Sequence, residues 1–475
     1  MSLTRQTYWA EHALLDTGVE SGVVVETGDD GRIAAVRRDV AAPPTGAVTL
    51  RGLTLPGFAN SHSHAFHRAL RGFVQAAPSS VLPGFANTHS HAGSPPPARG
   101  MGWAPESFWT WREVMYGVAE KLTPESYFEL ARATYAEMAL AGITAVGEFH
   151  YLHHGPGGTR YDDPNAMGEA LIAAAADAGI RITLLDTCYL SSGFGAEPSA
   201  HQLRFSDGTA EEWAGRAAAL KGDENTRIGA AIHSVRAVPA DQLAGVADWA
   251  REREAPLHVH LSEQTAENDA CVEAYGFTPT ALLADHGVLG ERTTAVHATH
   301  LAPGDIRLLG TSRTGVCMCP TTERDLADGI GPARGLQHAG SPLSLGSDSH
   351  AVIDMMEEAR AMELDERLRT HTRGHWTAAQ LLRAATADGH AALGWDEAGA
   401  IRPGALADLT TIALDSVRTA GAPPRLAAEA AVFAATSADV RDTVVGGRHI
   451  VRDGRHQLVQ DVAGALAASI APLHD

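Results

Sequence analysis

The chain has 475 residues, enough for one large catalytic domain and a smaller companion, and its 44% hydrophobic and 20% charged residues are ordinary for a soluble globular protein. A formal net charge of −20, with no basic cluster anywhere along the chain, argues against nucleic acid and against an anionic membrane as partners. Only four cysteines occur (Cys188, Cys271, Cys317 and Cys319), none in a CxxC pair, and so few in so long a chain argue against a disulfide framework. The opening MSLTRQTYWAEHALL lacks the apolar core of a signal peptide, and no apolar run reaches the roughly 18 residues of a membrane span, so the expectation is a cytoplasmic protein.

Residues 1–55 read as short strands separated by turns: GVVVE, the turn GDDGR, IAAVRR and AVTLRGLTLPG. The middle, 56–399, alternates helical stretches such as ALIAAAADAG and QLAGVADWARE with short apolar strands. After a strand at the first HSH come GITAVGEFHY (142–151), RITLLDTCYL (181–190), IGAAIHSVRA (228–237), PLHVHLSEQ (256–264), TTAVHATHL (293–301), GVCMCPTT (315–322) and PLSLGSDSH (342–350). Eight such units in one block predict an α/β fold, a (β/α)8 TIM-like barrel. From 400 to 475 the strand-and-turn texture returns in ADLTTIAL and VRDTVVGGRHIVRDGRH. Two strand-rich ends flanking a different middle predict that the ends meet in one small β-sandwich domain.

The polar residues strengthen the barrel reading. Nearly every candidate strand ends in His, Asp or Glu (HSH, EFH, HSVR, HLSE, HATH, SDSH), which is where barrel enzymes carry their chemistry. Two histidines at i and i+2 on a strand share a face, so His62 and His64 can hold one ion, with a third imidazole from His260 and a carboxylate from Asp348. Three nitrogens and one oxygen, with a position left for water, suit catalytic zinc. An isolated HxH is more simply an incidental strand pair; the ordered set HxH, HxxE, H and SD is much harder to dismiss.

PGFANSHSHAF, HVHLSEQ, VHATH and LGSDSH together resemble the deaminase branch of the amidohydrolase superfamily, over almost the whole chain. The resemblance implies His62, His64, His260 and Asp348 as metal ligands, with Glu263, His297 and Asp348 as catalytic groups. It leaves His258 and His300 as neighbours that support or pack. Binuclear members bridge two ions with a carbamylated lysine on a barrel strand. The two lysines here, Lys121 and Lys221, fall on no candidate strand, so one Zn2+ per chain is expected.

Within that branch HAFHRALRG (64–72), SFWTWREVMY (107–116), AVGEFHYLHH (145–154), IHSVRAV (232–238) and CMCPTTERDLADGI (317–330) are similar to the formimidoylglutamate deiminase family. That similarity implies hydrolytic deamination of a small acidic amidine, N-formimino-L-glutamate, in histidine degradation. Such a substrate carries two carboxylates into a strongly acidic protein, so its pocket needs fixed cations, and arginine suits bidentate carboxylate recognition. Arg112 and Arg236 are the candidates, though either alone could be an ordinary ion pair. By resemblance His67, Tyr151 and His233 add polar contacts. A homodimer is implied as well.

Several features sit less easily. LPGFANSHSHA (55–65) recurs as LPGFANTHSHA (82–92), giving a second pair at His89 and His91. The first copy has a strand-like lead and runs into FHRALRG. The second runs into GSPPPARG, whose prolines discourage a helix, yet stands nearer SFWTWRE. His62 and His64 are therefore the expected ligands, and the other copy a surface loop, with an exchange of the two left open. ERDLADG departs from the family at Arg324, Asp325 and Ala327. His150, His153 and His154 suggest a second metal, but a hydrogen-bonded loop cluster is the simpler reading. Cys317 and Cys319 read as buried structural thiols, and Trp103, Trp109 and Trp111 as pocket lining or packing, with packing expected for Trp103. Two other functions stay in view: a deaminase of the same branch acting on a nucleobase-like or other amidine substrate, marked by a pocket without inward arginines, and an inactive scaffold without metal.

Overall fold

The computed structural model describes residues 5–72 and 108–474, with the side chains of 108–110 set aside. The chain opens with strands β1 (Thr7–Leu15), β2 (Gly18–Thr27), β3 (Ile33–Arg37) and β4 (Val48–Pro56). Eight strands then follow at intervals through the middle: β5 (Phe58–Ser63), β6 (Ile143–His150), β7 (Arg181–Cys188), β8 (Thr226–Ile232), β9 (Leu257–Leu261), β10 (Thr293–His297), β11 (Gly315–Met318) and β12 (Leu343–Leu345). Near the end come β13 (Leu409–Ile412), β14 (Val440–Val445), β15 (Arg448–Arg452) and β16 (Arg455–His456).

Strands β5 to β12 pair in sequence order, each parallel to the next, with helices between them. Beyond β12 the chain returns to β5. The Asp348 N–H donates to the His62 carbonyl at 3.0 Å, and Ser63 and Asp348 form a parallel bridge. The result is the nearly closed (β/α)8 barrel that the alternation predicts. The remaining strands join in the order β16-β15-β14-β13-β4-β1-β2-β3, so both chain ends build one sheet. Its core includes Tyr8, Val23, Val25, Leu50, Leu409 and Val444.

Local chemistry fixes the outer layer. Helix Pro124–Leu140 starts at a capping box, where Thr123 accepts from the Ser126 N–H, and carries Pro at its first position. Helix Ala166–Ala178 stops at Gly179, whose φ of 80° is left-handed backbone that other residues avoid. The segment TYWAEHALL adds a further strand, β1, to the strand-rich first part. One element differs from the strand-and-turn texture read for 400–475: the helix Val462–His474, which packs against helix Pro124–Leu140. No helix among the described residues is long and apolar enough to cross a membrane. All four cysteines are buried and none is in a disulfide, with the Sγ atoms of Cys317 and Cys319 4.0 Å apart.

Candidate active site

The first and last barrel strands are tied side by side by one asparagine. Asn60 Nδ2 donates to Ser347 Oγ at 2.7 Å, and its Oδ1 accepts from the Ser347 N–H at 2.9 Å. Gly346 makes the approach possible, because a Cβ there would stand 2.8 Å from the His62 Cβ and 2.9 Å from its carbonyl oxygen. Asp348 is thereby set beside His62 and His64, with its Oδ1 at 3.4 Å and 3.5 Å from their Nε2 atoms. Beneath the HSHA turn, buried Glu148 accepts from Ser63 Oγ at 2.8 Å and from the Ala65 N–H at 2.6 Å. Burial pushes its carboxyl up to about 7.

His260 enters from the end of β9. Its Nε2 faces the His62 Nε2 at 3.1 Å. Its Nδ1–H donates to the His233 carbonyl, as the Nδ1–H of His64 does to the Phe149 carbonyl. A carbonyl can only accept, so each bond fixes the tautomer and leaves a lone pair on Nε2. Burial lowers the pKa of His62, His64 and His260, keeping them neutral as ligands must be. For Asp348, burial favours the neutral acid, but His62, His297 and His64 outweigh it and hold the carboxylate well below its usual range. His62 joins two potential ligand groups, one with His64 and Asp348 and one with His260 and His297, and neutral imidazoles beside a carboxylate are donors that suit zinc.

On the other side of Asp348 lies His297, whose Nε2 is 3.7 Å from Asp348 Oδ2 and 3.6 Å from Glu263 Oε1. Glu323 stands 3.5 Å from its Nδ1. Burial opposes charge on this imidazole, yet Glu263, Glu323 and Asp348 together raise its pKa well above the ordinary value. Glu263 is pushed up to about 7 by burial, with His297 pulling the other way and Asp348 adding to the rise. The backbone pays locally for this convergence: Ser262, His297 and Asp348 have φ of 51°, 68° and 42°, conformations that residues with a Cβ seldom adopt.

The cavity above these groups is lined by His64, His67, Trp111, Arg112, Tyr116, Tyr151, Tyr189, His233, Arg236, His260, Glu263, His297 and Asp348, among others. Every site residue expected from the sequence lines this cavity except His62, which lies beneath it in direct contact with His260 and Asp348. His67 Nε2 and the Tyr151 hydroxyl are 3.2 Å apart, and burial takes the His67 pKa down to about 3. Arg236 pairs through Nε with Glu267 Oε2 at 3.2 Å, and Arg112 Nε donates to the Tyr116 hydroxyl. Through Arg236 and Glu263 the cavity adjoins an outer depression of ≈ 520 Å³.

Other expectations resolve differently. The second pair, His89 and His91, lies outside the described residues, as does Trp103; the Trp109 side chain is likewise not described. Trp111 stands in the pocket wall, its ring 5.0 Å from that of His67. His150 and His153 gather with Asp186 away from the cavity. That carboxylate already accepts from Trp213 Nε1 and both terminal nitrogens of Arg216, and a neighbouring guanidinium repels a metal ion. His154 pairs with Asp207. His258 donates through Nε2 to the Ala392 carbonyl and His300 to that of Asp328, both supporting roles. Sequence reading passed over Tyr116, Tyr189, Glu148, Glu323 and Asn60. Tyr116 was findable, because it follows Arg112 by four residues on one helix face; Tyr189 follows a strand end directly.

The chain matches the description "Amidohydrolase family" over residues 80–450. The chain belongs to the amidohydrolase family. This amidohydrolase is 36% identical to the formimidoylglutamate deiminase of Pseudomonas aeruginosa, over 98% of this chain and 99% of the relative. It is 31% identical to the 8-oxoguanine deaminase of the same organism, over 91% and 90% of the two chains. A crystal structure of an amidohydrolase from Brucella melitensis superposes with a TM-score of 0.87 at 31% identity, covering 99% of this chain and 100% of that one. The family match begins at residue 80, just ahead of the second LPGFAN, whereas in the fold it is the first copy, at His62 and His64, that meets His260 and Asp348.

Proposed function

We propose that this amidohydrolase hydrolyses N-formimino-L-glutamate to N-formyl-L-glutamate and ammonia, with one zinc ion per chain held by His62, His64, His260 and Asp348. The observation that carries the reading is that two guanidiniums, Arg112 and Arg236, share a cavity with the His/Asp cluster in a chain of net charge −20. A dicarboxylate needs such cations, and a neutral nucleobase does not. The 36% relative that carries this activity in its name adds support along nearly its full length.

Zinc bound there would lower the pKa of water toward about 7 and so supply a nucleophile near neutral pH. Asp348, ionised and 3.7 Å from His297, accepts the proton that water loses as it attacks the amidine carbon. Glu263, ionised opposite the cationic imino nitrogen, takes the proton that the hydroxyl of the tetrahedral intermediate loses and passes it to the departing nitrogen. His297, held protonated by three carboxylates, polarises the reacting centre. The carbon–nitrogen bond then breaks, ammonia leaves, and the formyl carbonyl forms. Arg112 and Arg236 hold carboxylates, while His67, Tyr151 and His233 orient the remainder.

Ammonia release from N-formimino-L-glutamate tests the reading, with a nucleobase panel as the comparison. Turnover of the nucleobases alone would replace this substrate with the second reading, which the 31% identity to an 8-oxoguanine deaminase supports. We also propose a cytoplasmic homodimer on the resemblance alone; light scattering of the purified chain decides the dimer.

A further inference from the structure

Two tyrosines on one wall of the cavity, Tyr116 and Tyr189, share a buried partner behind that wall, Gln202. Tyr116 comes from helix Phe108–Lys121, Tyr189 directly follows β7, and Gln202 sits in the short helix Ala200–Phe205. Gln202 is 1% exposed, and its amide orientation is fixed by the backbone, because its Oε1 accepts from the Ser199 N–H at 2.9 Å. Its Nε2 must therefore face the tyrosines. One proton goes to the Tyr189 hydroxyl at 2.7 Å and the other to the Tyr116 hydroxyl at 3.2 Å.

Hydrogen-bond accounting then fixes where the Tyr189 proton points. A hydroxyl has one proton and two lone pairs. The Tyr116 oxygen accepts from Gln202 Nε2 and from Arg112 Nε, so both its lone pairs are used. Its own proton is left to donate, with Tyr189 beside it. Tyr189 can give its proton neither to Gln202 Nε2, a donor, nor to the filled Tyr116 oxygen. Among the described residues no hydrogen bond takes it, yet the side chain is buried in the cavity wall with Arg236, its ring 4.2 Å from that of His233. A buried hydroxyl with a forced, unspent proton is a donor waiting for an acceptor in the cavity. Its oxygen already accepts from the amide, which polarises the O–H further.

We propose that Tyr189 binds a substrate carboxylate through its hydroxyl, and that Gln202 is the positioning residue that turns its proton into the cavity. The inference rests on the acidic substrate proposed above and assigns one further contact to it. The recognition is by a neutral donor, adding direction to the charge that the arginines supply.

The test compares the wild type, Tyr189→Phe and Gln202→Glu. N-formimino-L-glutamate serves as substrate, N-methylformamidine as an amidine without carboxylates, and glutarate as a ligand for calorimetry. Tyr189→Phe keeps the ring and removes the donor. Its KM for the diacid should rise roughly ten- to hundredfold, the range for a hydrogen bond to a charged group, with a much smaller change for N-methylformamidine. Gln202→Glu replaces the Nε2 donor with an acceptor that draws the tyrosine protons away from the cavity. It should raise the same KM without touching ligand, a shift that a merely structural role would not produce. Unchanged KM in a Tyr189→Phe protein that melts like the wild type overturns the proposal while leaving the proposed function intact. Should Tyr189→Phe fail to fold, Gln202→Glu decides on the same criterion. If the wild type does not turn over the diacid, glutarate binding weakened by Tyr189→Phe still supports a carboxylate site here. A wild type that neither turns over the diacid nor binds glutarate overturns both.

Discussion

The Oε1 of Glu263 lies 3.6 Å from the Nε2 of His297, a buried acid set against a buried imidazole on the cavity wall. Burial raises the Glu263 carboxyl to about 7, within the range of a proton relay at neutral pH. Its ionised form faces the cationic amidine, so kcat/KM should rise with pH through about 7 as the acid loses its proton. Glu263→Gln removes that ionisation and should lower kcat by roughly 10²–10⁴, the usual share of a general acid–base group. A variant with full kcat, or an unchanged acid limb, would contradict the relay.

Zinc content reports on the ligand set directly. His260→Ala and Asp348→Asn should each leave the purified protein with little zinc by elemental analysis, against about one ion per chain in the wild type. Removing one of four ligands costs most of the chelate affinity. Two tightly bound ions in the wild type would refute the single site. Retention of zinc after His62→Ala would send the search to His89 and His91.

Arg236 is already engaged through its Nε with Glu267, so its guanidinium is held in place before any ligand arrives. Arg236→Ala should cost roughly 1.5–3 kcal/mol of carboxylate binding, a ten- to hundredfold loss in kcat/KM carried mostly by KM. Unchanged kcat and KM would remove the assignment.

His258 predicts a pH effect away from the chemistry. Burial lowers its pKa to about 4, while the unfolded chain should titrate near the ordinary 6.5. Above 6.5 both states are neutral and no penalty arises. As pH falls from 6.5 toward 4 the unfolded state takes up a proton that the folded state refuses, so stability drops by up to about 3 kcal/mol. His258→Gln should flatten that part of the stability curve in denaturant melts across this range. An identical slope in both proteins would count against a buried neutral imidazole.

The barrel and its polar rim were legible because apolar runs ending in His, Asp or Glu recur with helices between them. The strand ends were not. HATH and SDSH read as strand, but β10 stops at His297 and β12 at Leu345, because positive φ at His297, Ala298 and Asp348 turns these motifs into loops that curve over the site. Strand β1 escaped for a different reason. Its burial alternates at Tyr8 and Ala10, then resumes out of phase at Ala13 and Leu15, across a register shift against β4 between Ala10 and His12. Asn60 had no local signal, and the local signal at Gln202, the Ser199-x-x-Gln202 capping box, gave no hint of its contact with the tyrosines. Their partners, Ser347 and Tyr116, are far away in sequence and adjacent only once the barrel closes.

The central claim is tested most directly by measuring ammonia release from N-formimino-L-glutamate by the zinc-loaded protein, with and without chelator. The account predicts turnover that chelator abolishes and added zinc restores. Zinc-loaded, folded protein that releases no ammonia from this substrate would contradict it.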